Sequence, residues 1–225
     1  MKKKKNLTYK FLTDTDLVLY KKNFIISALN LAFLAYASNN TVKYNKNYLL
    51  WPDGIFGKII LRTRKLSGSK LIKKLNLQSS IKHIFVLGNL DIIEKKFLKK
   101  KYKKKIFHIG LINGDIKKII KNIDHTFDEE NLYIITLPTP KQEQLAEYIS
   151  TKIKNFKVIC IGGGLSIAVN KIAPCPEIVS QVGLEWLWRL RTDTKRRLFR
   201  LIYTFSIYFF NRFITKNFKP KFLKV

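Results

Sequence analysis

The chain has 225 residues, of which 46% are hydrophobic, so it is long enough to bury the core of one domain, and wholesale disorder is excluded. Its 44 lysines and arginines outnumber 15 acidic residues and leave a net charge of +29, which predicts an anionic partner such as phospholipid, nucleotide or nucleic acid. The two cysteines, Cys160 and Cys175, lack the spacing of a zinc site or a disulfide framework and fit a cytosolic protein with reduced thiols.

The predicted elements alternate between helices and strands along the chain. The apolar run 24–38 predicts a largely buried helix. Near-continuous apolar runs then predict buried strands at 81–89, 105–113, 131–138 and 156–164. Between them, helical spacing predicts helices at 91–102, 115–123 and 141–153. This alternation predicts an α/β fold with a Rossmann-like, layered parallel sheet.

Asp53 lies in the sequence WPDGIF and has two interpretations. Pro-Asp-Gly is ordinary turn chemistry, because proline presets one dihedral and glycine permits a positive φ. The functional alternative is a carboxylate held on a tight turn at the end of a strand, where general bases are often found. The local sequence leaves both open.

Gln142 lies in the sequence TPKQEQ and also has two interpretations. With Thr139 at the N-cap and Pro140 at the first helical position, Gln142 would stand at the third and complete a capping box. Alternatively, Gln142 and the start of the helix hold a sugar or phosphate oxygen.

Three glycines, Gly162, Gly163 and Gly164, follow a predicted strand and precede a helical pattern. Backbone amides at such a turn can cradle a diphosphate, although three glycines do not make a dinucleotide fingerprint. The alternative is a turn that is packed closely against its neighbours.

The sequence gives little support for a metal-binding site or for catalysis by histidine. Asp14-Thr15-Asp16 resembles the DxD of many metal-dependent sugar transferases, but it lies near a basic N-terminus and is interpreted as surface. His83 and His108 fall in predicted strands and are interpreted as packing residues, and His125 is isolated. No metal ligand and no cofactor are predicted.

The segment after residue 173 combines tryptophans, an arginine cluster and the ten uncharged residues 201–210. It has two interpretations: a terminal helix docked on the core, or an interfacial helix on an anionic membrane. No window reaches the roughly 20 apolar residues that span a bilayer. We therefore expect a cytoplasmic protein, peripheral on the inner face of the cell membrane, with a core at 1–172 and an appendage at 173–225.

The ordered motifs resemble the WecG/TagA/CpsF glycosyltransferase family across nearly the whole chain. They are ALN (28–30), PDG (52–54), KLSGSKL (65–71), TPKQE (139–143), IGGG (161–164) and AP…GLEWLWRL (173–190). The last of these, with a downstream KRR, is the most specific, and TPKQE is next.

The resemblance implies an inverting, metal-independent enzyme. Such an enzyme would move an N-acetylmannosamine-type sugar from a UDP donor to polyprenyl-diphosphate-linked N-acetylglucosamine in cell-surface polysaccharide synthesis. It implies Asp53 as the general base. It also implies substrate contacts by Asn30, Arg64, Lys65, Gln142, Gly162, Gly163, Arg189, Arg196, Arg197 and Arg200.

The chain departs from the family pattern at four positions. Lys65 replaces the usual arginine and keeps the charge without the bidentate fork, although Arg64 is adjacent. Lys70 replaces an acidic residue, Ala28 a threonine, and Pro138 a common glycine. These differences bear on the sugar and on the strength of catalysis.

Two other functions compete with the transferase. A non-catalytic nucleic-acid-binding protein would use the same basic charge and interleaved aromatics, but no recognised nucleic-acid motif is present. A membrane-surface scaffold without catalysis is the other alternative. A homo-oligomer is compatible with all three.

Overall fold

The protein is described by a computed structural model over residues 7–13, 23–110, 120, 123, 126–181, 184–190 and 194–225. The side chains of Ser180, Gln181, Trp186, Arg189, Leu190 and Arg196 lie outside this description. The predicted surface motif Asp14–Asp16, His125 and most of the predicted helix 115–123 also lie outside it.

One sheet of eight parallel strands forms the centre of the described molecule. In chain order the strands are β1 (Thr8–Phe11), β2 (Phe24–Leu29), β3 (Tyr48–Pro52), β4 (His83–Leu87), β5 (Lys105–Ile109), β6 (Asn131–Ile135), β7 (Lys157–Cys160) and β8 (Lys221–Lys224). Across the sheet their order is β5-β4-β6-β7-β2-β3-β1-β8.

Helices connect the strands and cover both faces of the sheet. They are α1 (Leu31–Ser38), α2 (Gly54–Leu61), α3 (Gly68–Lys74), α4 (Ile92–Tyr102), α5 (Lys141–Lys152), α6 (Gly164–Ala168), α7 (Glu177–Gln181), α8 (Glu185–Leu190) and α9 (Thr194–Phe209), followed by a π-helical turn (Phe210–Ile214). One apolar cluster packs α1 and α5 on the sheet, and a second packs α3, α4 and α6 on the opposite face. The predicted layered α/β sheet is therefore confirmed.

The four predicted strands and two of the three predicted helices in the middle of the chain are present, with the strands shorter than their apolar runs. The four predicted strands correspond to β4, β5, β6 and β7, and the helices at 91–102 and 141–153 correspond to α4 and α5. In α4, Asp91 and Glu94 form a reciprocal capping box that fixes the start of the helix.

The predicted helix at 24–38 is wrong for its first part. Phe24–Leu29 is strand β2, buried along its whole length between β3 and β7. Only Leu31–Ser38 is helical, and it begins after Asn30, whose side-chain oxygen accepts from the Phe33 N–H at 3.0 Å. A run that is apolar at every position carries neither helical nor strand periodicity, so Asn30 was the available boundary signal.

The C-terminal segment packs on the core and ends in the sheet. Helix α9 contacts α1, with Thr204 buried, and the Asn211 side chain donates to Ser38 Oγ at 3.2 Å. Strand β8 then pairs with β1 along its length. The docked-helix interpretation thus describes part of this segment, and the membrane-binding appendage and the 1–172/173–225 division remain predictions. Within the described residues, no helix combines the length and apolarity that crossing a membrane requires.

Candidate active site

The candidate site lies at the carboxyl edge of the sheet, where four neighbouring strands end. Strands β6, β7, β2 and β3 are adjacent and parallel, so the segments after them emerge on the same side. Asn30 follows β2, Asp53 follows β3, Gly162 and Gly163 follow β7, and Gln142 is the second residue of the helix after β6. Ligands of open parallel sheets bind in crevices at this edge.

Asn30 and Asp53 are in direct contact. The side-chain amide of Asn30 donates to Asp53 Oδ2 at 3.3 Å, while its carbonyl oxygen caps helix α1. Both residues are half-buried. Asp53 stands at the N-cap of α2 without forming a side-chain cap, and Gly54 behind it has φ +65. Gly54 thus has the positive φ that the turn interpretation of Pro-Asp-Gly predicted, and this junction between strand and helix holds the carboxylate against Asn30.

Gly57 allows α2 to lie directly on the ends of the two strands that carry these residues. A methyl group on Gly57 would lie 2.5 Å from the Leu29 carbonyl oxygen and 2.8 Å from the Pro52 carbonyl carbon. Both are backbone atoms at the residue before Asn30 or Asp53. Helix packing at Gly57 thus sets the spacing of the pair.

The segment 65–71, which includes the start of α3, is joined to the C-terminal segment by ion pairs. The Leu66 N–H donates to the Pro52 carbonyl at 2.9 Å, which places Lys65 near the Asp53 turn. Lys65 pairs with Glu185 of the GLEWLWRL motif, and Lys70 lies 3.9 Å from Glu177. Both lysines that depart from the family pattern thus face carboxylates of the C-terminal segment, whereas Arg64 is exposed.

The glycine turn after β7 combines tight packing with an open position. Gly162 has φ +53, and a methyl on Gly164 would lie 3.1 Å from the Gly68 carbonyl carbon, so α6 and α3 approach closely. The Gly162 N–H donates to Ile135 and the Gly164 N–H to Ile161. Gly163 is exposed, with open space where a side chain would stand. The N–H groups of Gly162 and Gly164 therefore already donate to the protein's own carbonyls. Of the three glycines, Gly163 is the one whose backbone remains a candidate for the predicted diphosphate contact.

The predicted capping box at Gln142 is wrong. Helix α5 begins at Lys141 with Pro140 at the N-cap, and no side chain caps it. The side chain of Gln142 instead donates to Thr139 Oγ1 at 3.0 Å and to Glu143 Oε1 at 2.8 Å. Because Pro140 itself occupies the cap, Thr139 lies too early to cap the helix, and its hydroxyl enters a side-chain network.

Glu143 is the centre of this network and was missed by sequence reasoning. It is fully buried and accepts at Oε1 from Ser27 Oγ at 2.7 Å and from Thr139 Oγ1 at 3.2 Å, besides Gln142. Burial raises the pKa of Glu143, and the hydrogen bonds oppose this shift. The sequence does offer one indication that Glu143 is buried. Glu143 lies three residues before the buried Ala146, and this spacing places both residues on the helix face that packs on the core.

The next acidic residue of α5, Glu147, gives a testable pH dependence. Burial raises its pKa to about 7, and Tyr48 donates to Glu147 Oε1 at 3.0 Å. The folded state favours the protonated form of Glu147. The protonated carboxyl therefore contributes its full share to the stability of the fold below the ordinary pKa of 4.5, and this contribution is lost as pH rises through about 7. We expect Glu147→Gln to gain on the order of 1–2 kcal/mol relative to wild type between about pH 5 and pH 8 in urea unfolding. A constant difference between the two proteins across that range would contradict this assignment.

The C-terminal arginines reach the site at one described contact. Arg200 of α9 donates from Nη2 to the Thr139 carbonyl at 3.2 Å, which joins α9 to the loop before α5. Arg197 is half-buried, and its Nε has no hydrogen-bond partner among the described residues. Arg189 and Arg196 lie on α8 and α9, with side chains outside the described part.

Two of the histidines and both cysteines lie in the described part of the chain. His83 is half-buried in β4 and contacts Asn131, whereas His108 is an exposed residue of β5 whose Nε2 lies 2.7 Å from the Gly88 carbonyl oxygen, so the packing role predicted for His108 is wrong. Cys160 is buried, Cys175 is half-buried, and both are free thiols. The described residues include no cluster of three histidine, cysteine or carboxylate side chains able to hold a metal ion.

Comparison with known protein families identifies a family to which the chain is similar. The model of the family described as glycosyl transferase WecG/TagA/CpsF matches residues 6–221 of the 225-residue chain. No curated protein matches the chain. The family match covers every element of the site described above.

Proposed function

The chain belongs to the WecG/TagA/CpsF glycosyltransferase family, and from this premise we propose the reaction that its site performs. The protein is a glycosyltransferase, which implies a sugar donor and a glycan acceptor. We propose an inverting, metal-independent transfer of an N-acetylhexosamine, of the N-acetylmannosamine type, from a UDP donor to polyprenyl-diphosphate-linked N-acetylglucosamine. The observation that carries the proposal is the contact between Asn30 and Asp53 at the carboxyl edge of the sheet.

Asp53 is proposed as the general base. In an inverting transfer the acceptor hydroxyl attacks the anomeric carbon, the bond from that carbon to the UDP oxygen breaks, and the hydroxyl proton passes to a carboxylate. The Asn30 amide, itself fixed by its bond to Phe33, donates to Asp53 Oδ2 and orients the carboxylate. This hydrogen bond from Asn30 restricts the orientations that the Asp53 carboxylate can adopt before the reaction.

Positive charge near the site is proposed to stabilise the departing UDP diphosphate. The candidates are Arg64, Lys65, Arg189, Arg196, Arg197 and Arg200, together with the open amide position at Gly163. Lys65 would have to share its ammonium between Glu185 and the diphosphate. Preorganised charge of this kind acts where negative charge develops during bond cleavage.

We place the acceptor at an anionic membrane surface on the cytoplasmic side. Helix α9 and the π-helical turn expose a row of large apolar side chains, which are Leu198, Phe199, Ile202, Tyr203, Phe205, Phe209, Phe210, Phe213 and Ile214. Arginines and lysines lie on the same segment. An exposed apolar face beside basic residues is the pattern of interfacial helices, and a polyprenyl-linked acceptor would be presented at that surface.

The reaction is tested by UDP release from a panel of UDP-N-acetylhexosamines with a polyprenyl-diphosphate N-acetylglucosamine analogue on anionic vesicles. Turnover that requires both substrates and persists in EDTA would support the proposal. Failure of every donor, in a protein that remains folded and binds vesicles, would contradict it. Binding to nucleic acid that weakens steeply with salt, without binding of UDP, would favour the nucleic-acid alternative.

Membrane association gives a separate prediction. We expect Phe199→Glu with Ile202→Glu to lower partitioning onto anionic vesicles by about 10-fold or more, because two exposed apolar side chains no longer insert. Vesicle sedimentation measures this directly. Ile92→Glu with Ile93→Glu changes two side chains of similar exposure on α4 and serves as the matched control. Equal losses in both proteins would indicate a general charge effect and contradict insertion of α9.

A further inference from the structure

The side-chain amide of Gln142 is held in one orientation. Its nitrogen donates both hydrogens within the protein, to Glu143 Oε1 at 2.8 Å and to Thr139 Oγ1 at 3.0 Å. A carboxylate oxygen at this distance requires a donor opposite it, so the atom that faces Glu143 is the nitrogen. The carbonyl oxygen of Gln142 therefore points away from Glu143.

Glu143 is in turn fixed from two other elements. Ser27 Oγ of β2 donates to Glu143 Oε1 at 2.7 Å, and Thr139 Oγ1 donates to the same oxygen at 3.2 Å. The single hydrogen of Thr139 is used in that bond, so its oxygen accepts from Gln142. These hydrogen bonds converge on Glu143 Oε1 and Thr139 Oγ1, whereas Glu143 Oε2 is buried without a partner among the described residues. Rotating the Gln142 amide would turn its oxygen toward both of the accepting atoms, so the amide keeps its orientation.

Gln142 Oε1 is left as a buried acceptor at the edge of the site. Gln142 is 4% exposed, and its Oε1 has no hydrogen-bond partner among the described residues. The oxygen borders the glycine turn, since a methyl on Gly162 would lie 3.7 Å from it. A buried acceptor without a partner destabilises the protein, and a hydrogen-bond donor on a ligand would remove that cost.

We infer that Gln142 Oε1 accepts a hydrogen bond from the donor substrate, either from a sugar hydroxyl or from the ring N–H of uracil, and that Glu143 is the residue that positions it. The inference rests on the proposed UDP-sugar substrate and narrows the role of Gln142. A phosphate oxygen is an acceptor and cannot satisfy another acceptor, so the diphosphate is not the partner. Gln142 thus selects for a nucleotide sugar that has a hydrogen-bond donor at the position facing its Oε1.

The test measures binding by calorimetry, without the acceptor and without turnover. The probes are UDP, UDP methylated at the uracil ring nitrogen, UDP-N-acetylhexosamines, and analogues that each lack one sugar hydroxyl. We expect one probe to bind wild type about 10-fold more weakly than its parent, because it leaves Gln142 Oε1 unpaired. A penalty on the methylated nucleotide identifies uracil as the donor, and a penalty on a deoxy sugar identifies the hydroxyl.

Three variants separate positioning from general damage. In Gln142→Met the parent and the penalised probe should bind equally, because the acceptor is gone. In Glu143→Gln the penalty should fall below about 3-fold, since the new amide allows Gln142 to rotate. Glu147→Gln makes the same chemical change one turn along α5, where the described contact is to Tyr48, and should keep the full penalty.

Equal binding of all probes to wild type would overturn the inference, as would a penalty that survives in Gln142→Met. A penalty that survives in a folded Glu143→Gln would overturn the positioning role. The proposed transfer is tested by a different measurement. If the probe-specific loss of binding is observed but no acceptor gives UDP release, the transfer is contradicted and the role of Gln142 is retained. A protein that binds none of the nucleotides contradicts both.

Discussion

Asp53→Asn is expected to lower kcat by about 10²–10⁴-fold, because the amide cannot accept the proton of the attacking hydroxyl. The change is nearly isosteric, and the Asn30 amide donates to Oδ2, an atom that the asparagine side chain can present as its carbonyl oxygen. Binding of the UDP-sugar and the unfolding midpoint should therefore change little. Steady-state UDP release and calorimetric donor binding, measured on the same preparations, separate the two effects.

Asp91→Asn is the matched control for this prediction. Asp91 caps α4 and pairs with Lys171, so the change removes a carboxylate from a loop at the same edge of the sheet. It should lower stability modestly and leave kcat within about 3-fold of wild type. Turnover by Asp53→Asn at the wild-type rate would remove Asp53 from the role of base.

The positions of strands and helices could be predicted from the sequence where the elements are long and separated by polar turns. The strands that became β4 to β7 and the helices that became α4 and α5 were each marked by an apolar run or a helical pattern. The run at 24–38 was not readable, because β2 is buried on both sides and therefore lacks the alternation that distinguishes a half-exposed strand. The edge strand β8 is mostly exposed and carries lysines at both ends, so it gives no apolar signal.

The site was predictable as a set of motifs but not as a set of contacts. Asp53, Asn30 and Gln142 could be named because their motifs occur in the family's order. The bond between Ser27 and Glu143 joins residues 116 positions apart, and nothing local in either segment indicates it. Nor does the sequence show that Lys65 meets Glu185, since that pairing depends on how the C-terminal segment returns to the core. Long-range polar contacts follow from topology, which the one-dimensional pattern does not contain.

Gly57→Ala is expected to destabilise the protein by about 1–3 kcal/mol and to lower kcat/KM by at least about 10-fold. The new methyl would lie 2.5 Å from the Leu29 carbonyl oxygen and within 2.9 Å of two backbone atoms of Pro52. These neighbours are main-chain atoms of two central strands, so no flexible side chain can move aside. Either α2 moves outward with Asp53 at its first turn, or the ends of β2 and β3 separate.

Both movements displace Asn30 relative to Asp53, so stability and catalysis should fall together. Urea unfolding and UDP release measure the two quantities. Gly110→Ala is the control, because its methyl would first meet a His108 ring atom at 3.8 Å, an ordinary contact. That variant should stay within about 0.5 kcal/mol of wild type. A Gly57→Ala protein with unchanged stability and activity would show that α2 need not lie on the strand ends, and that the Asn30–Asp53 distance is set elsewhere.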